Sequence, residues 1–420
     1  MRIDKTRLGK TQSVCPVCLA RIPAERVARG GDIFLEKTCA EHGSFSAVVW
    51  RGDDAQFDKW WSYSPPDNAP ELAATCCALV EVTSRCDLRC PVCFAGAGDA
   101  STEPTVAELY EIFKKLADAG STFVQISGGE PTARDDLPEI VAAARRAGCE
   151  TVQLNSNGLR LGREPEFTRA LADAGLSFVF LQFDGVTDKT YEKLRGKPIL
   201  TEKTEAIRVC GENFLGVTLV PTLVPGVNDG EIGDIIDFAV KHSPVVRGVH
   251  FQPISYFGRY PTPPRDEDRI TLPEVLRGIE AQTAGKFKIK DFNPSACDHP
   301  RCGFHGDFVV LPRGKIMKLT KKYNPDACCG ADAHLKNRAF VARRWTRSPD
   351  AESAAQTEPA ADARDMSAFL TRVKSHGFTI TAMTFQDAWT LDYERLRRCS
   401  LHVFDGASTV QFCARYLTNA

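Results

Sequence analysis

Length, composition and charge exclude several classes of protein. The chain has 420 residues, of which 43% are hydrophobic and 25% charged, as in ordinary globular enzymes. Its 53 Lys and Arg residues balance 54 Asp and Glu residues, which argues against a nucleic-acid binder held by bulk electrostatics. No apolar run approaches the roughly 20 residues of a membrane helix, and the charged residues 1–5 do not resemble a secretory signal. We therefore expect a cytoplasmic protein.

The 16 cysteines are the unusual feature of this composition. They are too dilute for a small disulfide scaffold, and in a reducing compartment clustered cysteines indicate metal or catalytic ligands. Cys149 and Cys210 stand alone, and we predict that they pack in the core as small hydrophobic residues. The remaining cysteines form six groups, which are Cys15/Cys18/Cys39, Cys76/Cys77, Cys86/Cys90/Cys93, Cys297/Cys302, Cys328/Cys329 and Cys399/Cys413.

Residues 1–50 are predicted to form a small module of the zinc-ribbon or rubredoxin type. Cys15 and Cys18 make one short knuckle, and Cys39 and His42 make a second. Four such ligands form a tetrahedral site for zinc or iron, and the histidine favours zinc. Zinc would make the site structural, whereas iron would make it an electron relay. The proline-rich segment 51–75 is predicted to be a linker.

From residue 76 onward, strand and helix patterns alternate. Such alternation predicts parallel strands joined by crossover helices. Six units, rather than eight, predict an α/β fold with a partial, open (β/α)6 barrel over 76–255. Residues 256–420 are predicted to be a C-terminal extension, in which 345–366 have low complexity and are expected to form a mobile loop. The predicted strands are 77–83, 123–126, 151–154, 177–183, 217–223 and 248–254, and the predicted helices are 105–118, 136–147, 165–174, 201–212 and 231–241.

A three-cysteine loop follows the first predicted barrel strand directly. It reads Cys86-Asp-Leu-Arg-Cys90-Pro-Val-Cys93 and supplies three thiolates. A [4Fe–4S] cluster held by three thiolates leaves one iron open to an exogenous ligand. The spacing alone also permits a zinc site or a structural cluster whose fourth ligand lies elsewhere in the chain.

A glycine-rich turn follows the second predicted barrel strand. It reads Ser127-Gly128-Gly129-Glu130-Pro131. Two glycines allow a ligand to approach the backbone closely, and the carboxylate of Glu130 is able to receive an ammonium group. Both this turn and the cysteine loop lie at the carboxyl ends of adjacent parallel strands, where barrel enzymes build their active sites.

Cysteines in the C-terminal extension predict a further metal centre. Cys297 and Cys302 lie in a polar, proline-containing segment, where core packing does not explain them. We hypothesise an auxiliary iron–sulfur cluster bound by these two and by two of the later cysteines, with Cys399 and Cys413 favoured over Cys328 and Cys329. His299 and His305 are lesser candidates and are expected to be exposed loop residues.

Together the two barrel motifs resemble the radical S-adenosylmethionine (SAM) superfamily, over residues 76–255. The resemblance implies that Cys86, Cys90 and Cys93 hold a [4Fe–4S] cluster whose open iron binds SAM. It also implies reductive cleavage of SAM to a 5′-deoxyadenosyl radical, which abstracts a substrate hydrogen atom. Gly128, Gly129 and Glu130 would hold the methionyl amine. Further implied contacts, which are alternatively turn residues, are Asn155, Asn157, Gln182, Asp184, Thr222 and Asn228.

More narrowly, the chain resembles the group that contains archaeal tetraether lipid synthases and pterin-modifying class D methyltransferases. The resemblance includes the N-terminal module, residues 82–95, residues 216–228, and the tail around Cys399 and Cys413. It implies methyl transfer or C–C bond formation on a lipid-like or pterin-like substrate, with a flavodoxin or ferredoxin as electron donor. Residues 63–75 lack the cysteines that this group carries there, so one auxiliary cluster is expected to be missing.

Two other functions remain open from the sequence. One is a non-catalytic iron–sulfur or zinc protein for redox sensing or electron transfer, although such a protein has no need of the Gly-Gly-Glu turn. The other is an RNA-modifying radical SAM enzyme, which would use basic residues of the N-terminal module, and these are ordinarily just solvated charges. They are Arg2, Lys5, Arg7, Lys10, Arg21, Arg26 and Arg29.

Overall fold

The computed structural model describes residues 5–52, 74–98, 103–295, 297–321, 332–357 and 366–418. Most of the predicted linker, together with Cys328 and Cys329, lies outside these residues. Within the described ranges, no helix combines the length and the apolar character that a membrane crossing requires.

The N-terminal residues form a four-stranded antiparallel sheet of their own, with the strands in sequence order. The turn after the first strand carries Cys15 and Cys18, and the turn after the third strand follows Cys39 and contains His42. Gly43 adopts a φ of 79°, a left-handed conformation that favours glycine. The strands are β1 (Lys5–Val14), β2 (Arg21–Arg29), β3 (Asp32–Cys39) and β4 (Gly43–Arg51).

A second, larger sheet forms the barrel. Its predicted strands all exist and pair in parallel, in the order of the sequence. The strand bounds are β5 (Cys77–Thr83), β6 (Phe123–Gly128), β7 (Thr151–Ser156), β8 (Phe178–Gln182), β9 (Gly216–Val220), β10 (Thr222–Leu223) and β11 (Val246–Pro253).

Crossover helices cover the outer face of this sheet. Outward strand residues such as Val124 and Val152 are buried beneath the helices in one continuous core, while alternate residues face the interior. Cys149 and Cys210 belong to that core, which confirms their prediction as packing residues. The helices are α1 (Val106–Asp118), α2 (Leu137–Arg146), α3 (Leu159–Arg163), α4 (Pro165–Asp173), α5 (Asp188–Arg195), α6 (Leu200–Glu212) and α7 (Ile232–Lys241).

The C-terminal extension contributes strands to both edges of the barrel sheet. One of its strands pairs in parallel with β11, and another pairs in parallel with β5. The six predicted strands are therefore flanked by two further parallel strands. The extension contains α8 (Leu272–Gln282), β12 (Asn293–Pro294), β13 (Gly303–Val310), β14 (Ile316–Lys318), α9 (Ala333–Trp345), α10 (Pro349–Thr357), α11 (Met366–His376), β15 (Gly377–Met383), α12 (Tyr393–Leu396), β16 (Leu401–Phe404), β17 (Thr409–Gln411) and α13 (Phe412–Arg415).

A loop between β12 and β13 bridges the two ends of the barrel sheet. Asp298 in this loop accepts hydrogen bonds from the backbone and the hydroxyl of Ser400, both at 2.8 Å, directly before β16. The gap of the open barrel is thus spanned by the extension. The expected loop over 345–366 is wrong for Pro349–Thr357, which form α10 because alanine and glutamate there are good helix formers. Residues 358–365 lie outside the described residues.

Candidate active site and metal centres

The barrel encloses a cavity of about 550 Å³ that joins the sequence motifs. The three cysteines of the loop after β5 line it, as does the glycine-rich turn after β6. Cys76, Cys77 and Cys297 line it as well. Residues from separate parts of the chain are therefore brought to one chamber.

Arg259, beyond the end of β11, holds the cysteine loop in place. Its backbone pairs with Cys93 through two hydrogen bonds of 2.9 Å. Its guanidinium donates to the carbonyl oxygens of Cys90, at 3.2 Å, and Ala97, at 2.7 Å. These bonds fix the loop that carries the three thiols at the mouth of the barrel. Three thiols are a donor set suited to an iron–sulfur cluster.

The two glycines of the turn after β6 make room for protein backbone. A Cβ atom on Gly128 would lie 2.2 Å from the carbonyl oxygen of Thr83, and one on Gly129 would lie 2.2 Å from that of Arg85. Backbone hydrogen bonds of 2.8 Å and 2.7 Å join Gly129 to Thr83 and Glu130 to Arg85. The turn therefore packs directly against residues 83–85, which lead into the cysteine loop.

Glu130 is buried and accepts four hydrogen bonds. The donors are the backbone and hydroxyl of Thr132, the hydroxyl of Ser156 and the backbone of Asn157, at 2.6 to 3.1 Å. Burial raises the pKa of Glu130, and these donors oppose the rise. The carboxylate therefore ties the ends of β6 and β7 together at the cavity wall.

Four of the other predicted SAM contacts lie near this turn, and each hydrogen-bonds another side chain of the protein. The side chain of Asn157 donates to Asp87 in the cysteine loop at 2.6 Å. Asn155, two residues earlier on β7, instead bonds to glutamine side chains. Gln182 accepts from a buried lysine, and Asp184 accepts from a buried arginine.

Asn228 and the carbonyl group of Thr222 hold the turn after β10. Asn228 donates to the carbonyl oxygens of Asp184 and Thr222, at 2.7 and 2.8 Å, and accepts from the backbone of Val224. These bonds use the amide fully, as expected of a turn residue.

Two buried cations near the cysteine loop had no signal in the sequence. Arg195 pairs with Asp184 at 2.6 Å and hydrogen-bonds the thiol of Cys90. Burial opposes its charge, but Asp184 and Cys90 raise the pKa of Arg195. Lys203 donates to the carbonyl oxygen of Asn157 and to Gln182, and burial lowers the pKa of Lys203 to about 8. A basic residue on a helix is ordinary in sequence, so only the fold reveals these positions.

The N-terminal module brings its four predicted ligands together. The ligand atoms of Cys15, Cys18, Cys39 and His42 all lie within 4.8 Å of one another, as a single metal ion requires. The Cys39 sulfur and the His42 Nδ1 are 3.4 Å apart, and this hydrogen bond lowers the pKa of the Cys39 thiol.

The C-terminal cysteines gather around the carboxylate of Asp298. That carboxylate is near enough to act electrostatically on five thiols. Burial and the carboxylate raise the pKa of three of them, whereas the hydrogen bond between Cys76 and Cys297 lowers the pKa of Cys76 and raises that of Cys297. Burial is the larger cause for Cys399, with Cys413 and Cys302 adding to it. Cys76, which the sequence left unassigned, hydrogen-bonds the thiol of Cys297. The five thiols are those of Cys76, Cys297, Cys302, Cys399 and Cys413.

His299 differs from its expected exposed position. It is completely buried, and burial lowers its pKa to about 4. Its ring lies 3.4 Å from Glu394 and accepts a hydrogen bond from the backbone of Arg301. The prediction of an exposed loop residue is wrong because Glu394 and Arg301 pack against the His299 ring. It is also wrong for His305, which lies within β13 and pairs with Thr381.

Comparisons with known proteins agree with this architecture. The model of the radical SAM superfamily matches residues 80–239, and that of the HMPTM N-terminal zinc ribbon domain matches residues 7–51. The 7,8-dihydro-6-hydroxymethylpterin dimethyltransferase of Methanocaldococcus jannaschii is 32% identical, over 94% of this chain and 90% of its own.

More distant similarities were also found. A GTP 3′,8-cyclase of Nautilia profundicola is 25% identical, over 59% of this chain and 74% of its own. Among solved structures, SuiB of Streptococcus suis bound to S-adenosylmethionine is 14% identical, with a TM-score of 0.41 over 68% of this chain and 71% of its own. With its barrel, its braced cysteine loop, its N-terminal zinc ribbon and its full-length similarity to the archaeal relative, the chain is a radical SAM enzyme and belongs to the group that contains the dihydropterin dimethyltransferase.

Proposed function

We propose that this enzyme methylates a pterin-like small molecule at an unactivated carbon. One observation carries the proposal: a single cavity joins the cysteine loop and the glycine-rich turn to a deeper chamber of small-molecule size. The relative that aligns over 94% of the chain is named as a dihydropterin dimethyltransferase. A long lipid chain, the alternative substrate, would have to extend beyond a cavity of about 550 Å³.

The chain's own residues hold and orient the reactants. Cys86, Cys90 and Cys93 would bind a [4Fe–4S] cluster, with Gly129 and Glu130 beside the methionyl amine of SAM. When bound, the cluster and SAM would supply a 5′-deoxyadenosyl radical that takes a hydrogen atom from the substrate, and a separate one-carbon donor, such as a second SAM molecule, would supply the methyl group.

Arg195 would place a fixed positive charge beside the cysteine loop. It donates to Cys90 while Asp184 holds its guanidinium in place. A fixed cation beside a thiolate stabilises the negative charge of a reduced cluster. An electron donor of the flavodoxin or ferredoxin type would supply the electron.

Hydrogen transfer from a labelled substrate tests this function. Holoenzyme is reconstituted anaerobically and given dithionite, SAM and 7,8-dihydro-6-hydroxymethylpterin deuterated at its ring carbons. We expect 5′-deoxyadenosine to form and to carry deuterium. Cys90→Ala should abolish both signals, whereas the core variant Cys149→Ala should retain them.

Each possible outcome assigns a different function. An intact cluster without 5′-deoxyadenosine would contradict an enzymatic role and would favour a redox protein. Unlabelled 5′-deoxyadenosine that does not rise on addition of the pterin would contradict a pterin substrate while retaining SAM cleavage.

A second metal proposal concerns the C-terminal thiols. We propose that Cys297, Cys302, Cys399 and Cys413, four of the five thiols around Asp298, bind an auxiliary cluster, because the loop before β13 and the C-terminal tail bring them to one buried carboxylate. Reconstituted Cys399→Ser should then hold about four fewer iron atoms per chain than the wild type. Cys210→Ser, a core variant, should hold the same number, and an unchanged iron content in Cys399→Ser would contradict the proposal.

The N-terminal site is proposed to bind zinc. Its three sulfurs and one imidazole nitrogen match the ligands that structural zinc prefers, and the matching domain model is a zinc ribbon.

A further inference from the structure

Amide side chains occupy part of the barrel interior where branched apolar residues would ordinarily pack. Gln125 faces inward from β6, and Gln153 and Asn155 face inward from β7. Their neighbours Val124 and Val152 face outward into the core beneath the helices. The amides therefore stand on the interior wall, and Gln125 and Asn155 line the cavity itself.

Hydrogen bonds join the three amides into a row. Gln153 donates from Nε2 to Asn155 Oδ1 at 2.6 Å, and Asn155 donates from Nδ2 to Gln125 Oε1 at 3.2 Å. Gln125 also hydrogen-bonds the thiol of Cys77. Since each amide nitrogen carries two hydrogens, the row leaves an N–H of Gln125 and an N–H of Asn155 for a ligand.

Two polar atoms inside the barrel have no hydrogen-bond partner in the described structure. They are Gln153 Oε1 and Thr218 Oγ1, and both residues are completely buried. Thr218 is paired in register with Phe180 of β8, and Phe180 lines the cavity. Unpaired buried polar atoms are costly, so this part of the barrel interior is more polar than core packing alone requires.

An aromatic wall shares the cavity with the amide row. Phe180 lies between His250 and Trp345, with ring centroids 5.4 Å and 4.8 Å away. Trp345 is fixed by a 2.9 Å hydrogen bond from its indole nitrogen to Thr379, and His250 Nδ1 lies 2.7 Å from Thr381 Oγ1. Burial lowers the pKa of His250 to about 4, so the wall is uncharged near neutral pH.

The barrel strands line the cavity with uncharged side chains below its rim. They include Leu79, Gln125, Asn155, Phe180, Val220 and His250. The charged lining residues are Glu130 and Arg195 at the rim, and Asp298 and Lys336 of the extension. An alkyl chain beside the amide row would leave its free N–H groups unpaired. A flat, uncharged ring with a lactam edge would satisfy both the amides and the aromatic faces.

We propose that the amide row recognises the substrate: Gln125 and Asn155 hydrogen-bond the lactam edge of an uncharged heteroaromatic ring stacked on the wall of Phe180 and His250. Gln153 is a positioning residue that fixes the orientation of the Asn155 amide. The proposal rests on the proposed function and deepens it by naming the residues that hold the substrate. It places Asn155 on the substrate rather than on SAM.

Binding measurements on the holoenzyme test the amide row. Gln125→Met and Asn155→Leu remove the hydrogen bonds while keeping similar volume. By equilibrium dialysis without reductant, we expect each to bind 7,8-dihydro-6-hydroxymethylpterin at least tenfold more weakly than the wild type. Formation of 5′-deoxyadenosine without pterin is measured for each variant, so that a loss of SAM cleavage is distinguished from a loss of pterin binding. Gln12→Met, on the N-terminal sheet, should change neither signal.

The positioning role of Gln153 requires a kinetic readout. Gln153→Met should raise the KM for the pterin in stimulated 5′-deoxyadenosine formation and leave kcat unchanged, since the residue acts only through Asn155. A lower kcat with an unchanged KM would overturn this role. If Asn155→Leu fails to fold, Gln125→Met and Gln153→Met carry the test.

Failure of this inference is distinguishable from failure of the proposed function. Wild-type pterin binding in Gln125→Met and Asn155→Leu would overturn the amide row while leaving pterin chemistry in place. If the wild type binds no pterin, guanosine serves as a second lactam probe. If guanosine binds and the same variants weaken that binding, the amide row is supported and a pterin substrate is contradicted. If neither probe binds, both the amide row and the pterin substrate are contradicted.

Discussion

The two glycines after β6 are required by the packing of the protein backbone itself, whether or not a ligand is bound. The sequence interpretation was that they let a ligand approach the backbone. In the structure, the carbonyl oxygens of Thr83 and Arg85 fill the places where Cβ atoms on Gly128 and Gly129 would stand. The glycines therefore set how closely the cysteine loop lies against the turn.

Gly129→Ala should impair both folding and metal loading. The new methyl group would overlap two backbone oxygens, at 2.2 and 2.6 Å, so the root of the cysteine loop must shift. We expect a loss of about 1–3 kcal/mol in the free energy of unfolding and less iron per chain after reconstitution. Urea denaturation and iron analysis measure the two effects. Gly230→Ala, whose Cβ would meet no atom within 4 Å, is the matched control.

At the residue scale, the sequence predicted the motif residues but not their electrostatic neighbours. Cysteine spacing and strand-end position were enough to place Cys86, Cys90 and Cys93 beside Glu130 at one cavity. Lys203 could not be predicted, because a lysine on an amphipathic helix ordinarily faces water. Its burial depends on the crossover of α6 over the barrel, which is a tertiary contact.

At the element scale, local periodicity predicted the barrel but not its closure. The predicted strands and helices each have a continuous pattern within a short window. Strand β16 has four residues and pairs with β5, more than 300 positions earlier in the chain. No short-range pattern encodes such a pairing. The turn helices α3 and α5 were likewise missed because each is short.

The N-terminal sheet docks on the extension through a buried ion pair. Arg26 of β2 donates from Nε to Asp392 at 2.7 Å and from Nη2 at 2.9 Å. It also contacts Glu394, which lies beside His299 and Arg301 in the loop that bridges the barrel ends. The zinc-ribbon element is thereby connected to the segment that bears Cys297 and Cys302.

Arg26→Met should weaken the packing of the N-terminal sheet on the C-terminal extension. Removing one partner of a buried pair leaves an uncompensated carboxylate at Asp392, which costs about 3–5 kcal/mol. We expect that loss in the free energy of unfolding, together with faster proteolytic cleavage between the N-terminal sheet and the barrel. Arg7→Met is the control, because the exposed Arg7–Glu25 pair contributes at most about 1 kcal/mol. Equal effects from the two variants would contradict a docking role for Arg26.

At the scale of the whole molecule, the extension both closes the barrel and carries the second group of thiols. The loop that hydrogen-bonds Ser400 through Asp298 also contains Cys297 and Cys302. Metal binding there would be coupled to closure of the barrel, because the ligands come from both sides of the gap. The sequence predicted a metal centre in the extension, but its structural role depends on the position of the sheet edges.

Acidification should destabilise the molecule through its buried imidazoles. Burial lowers the pKa of His250 from 6.5 to about 4, and that of His376 to about 3. Between those values and 6.5 the unfolded chain binds protons that the native chain does not, so stability falls as pH falls. His250 alone accounts for a loss of about 1.4 kcal/mol between pH 7.5 and 5.5.

The contribution of His250 is measurable by comparing the wild type with His250→Gln. Urea unfolding at pH 7.5 and 5.5 gives the change in unfolding free energy for each protein. The variant should lose about 1.4 kcal/mol less on acidification, because glutamine does not titrate in this range. Thiol ligands that release metal in acid affect both proteins equally and cancel in the difference. An identical pH dependence in the two proteins would show that native His250 takes up its proton near pH 6.5, as in the unfolded chain, and would contradict the lowered pKa of His250.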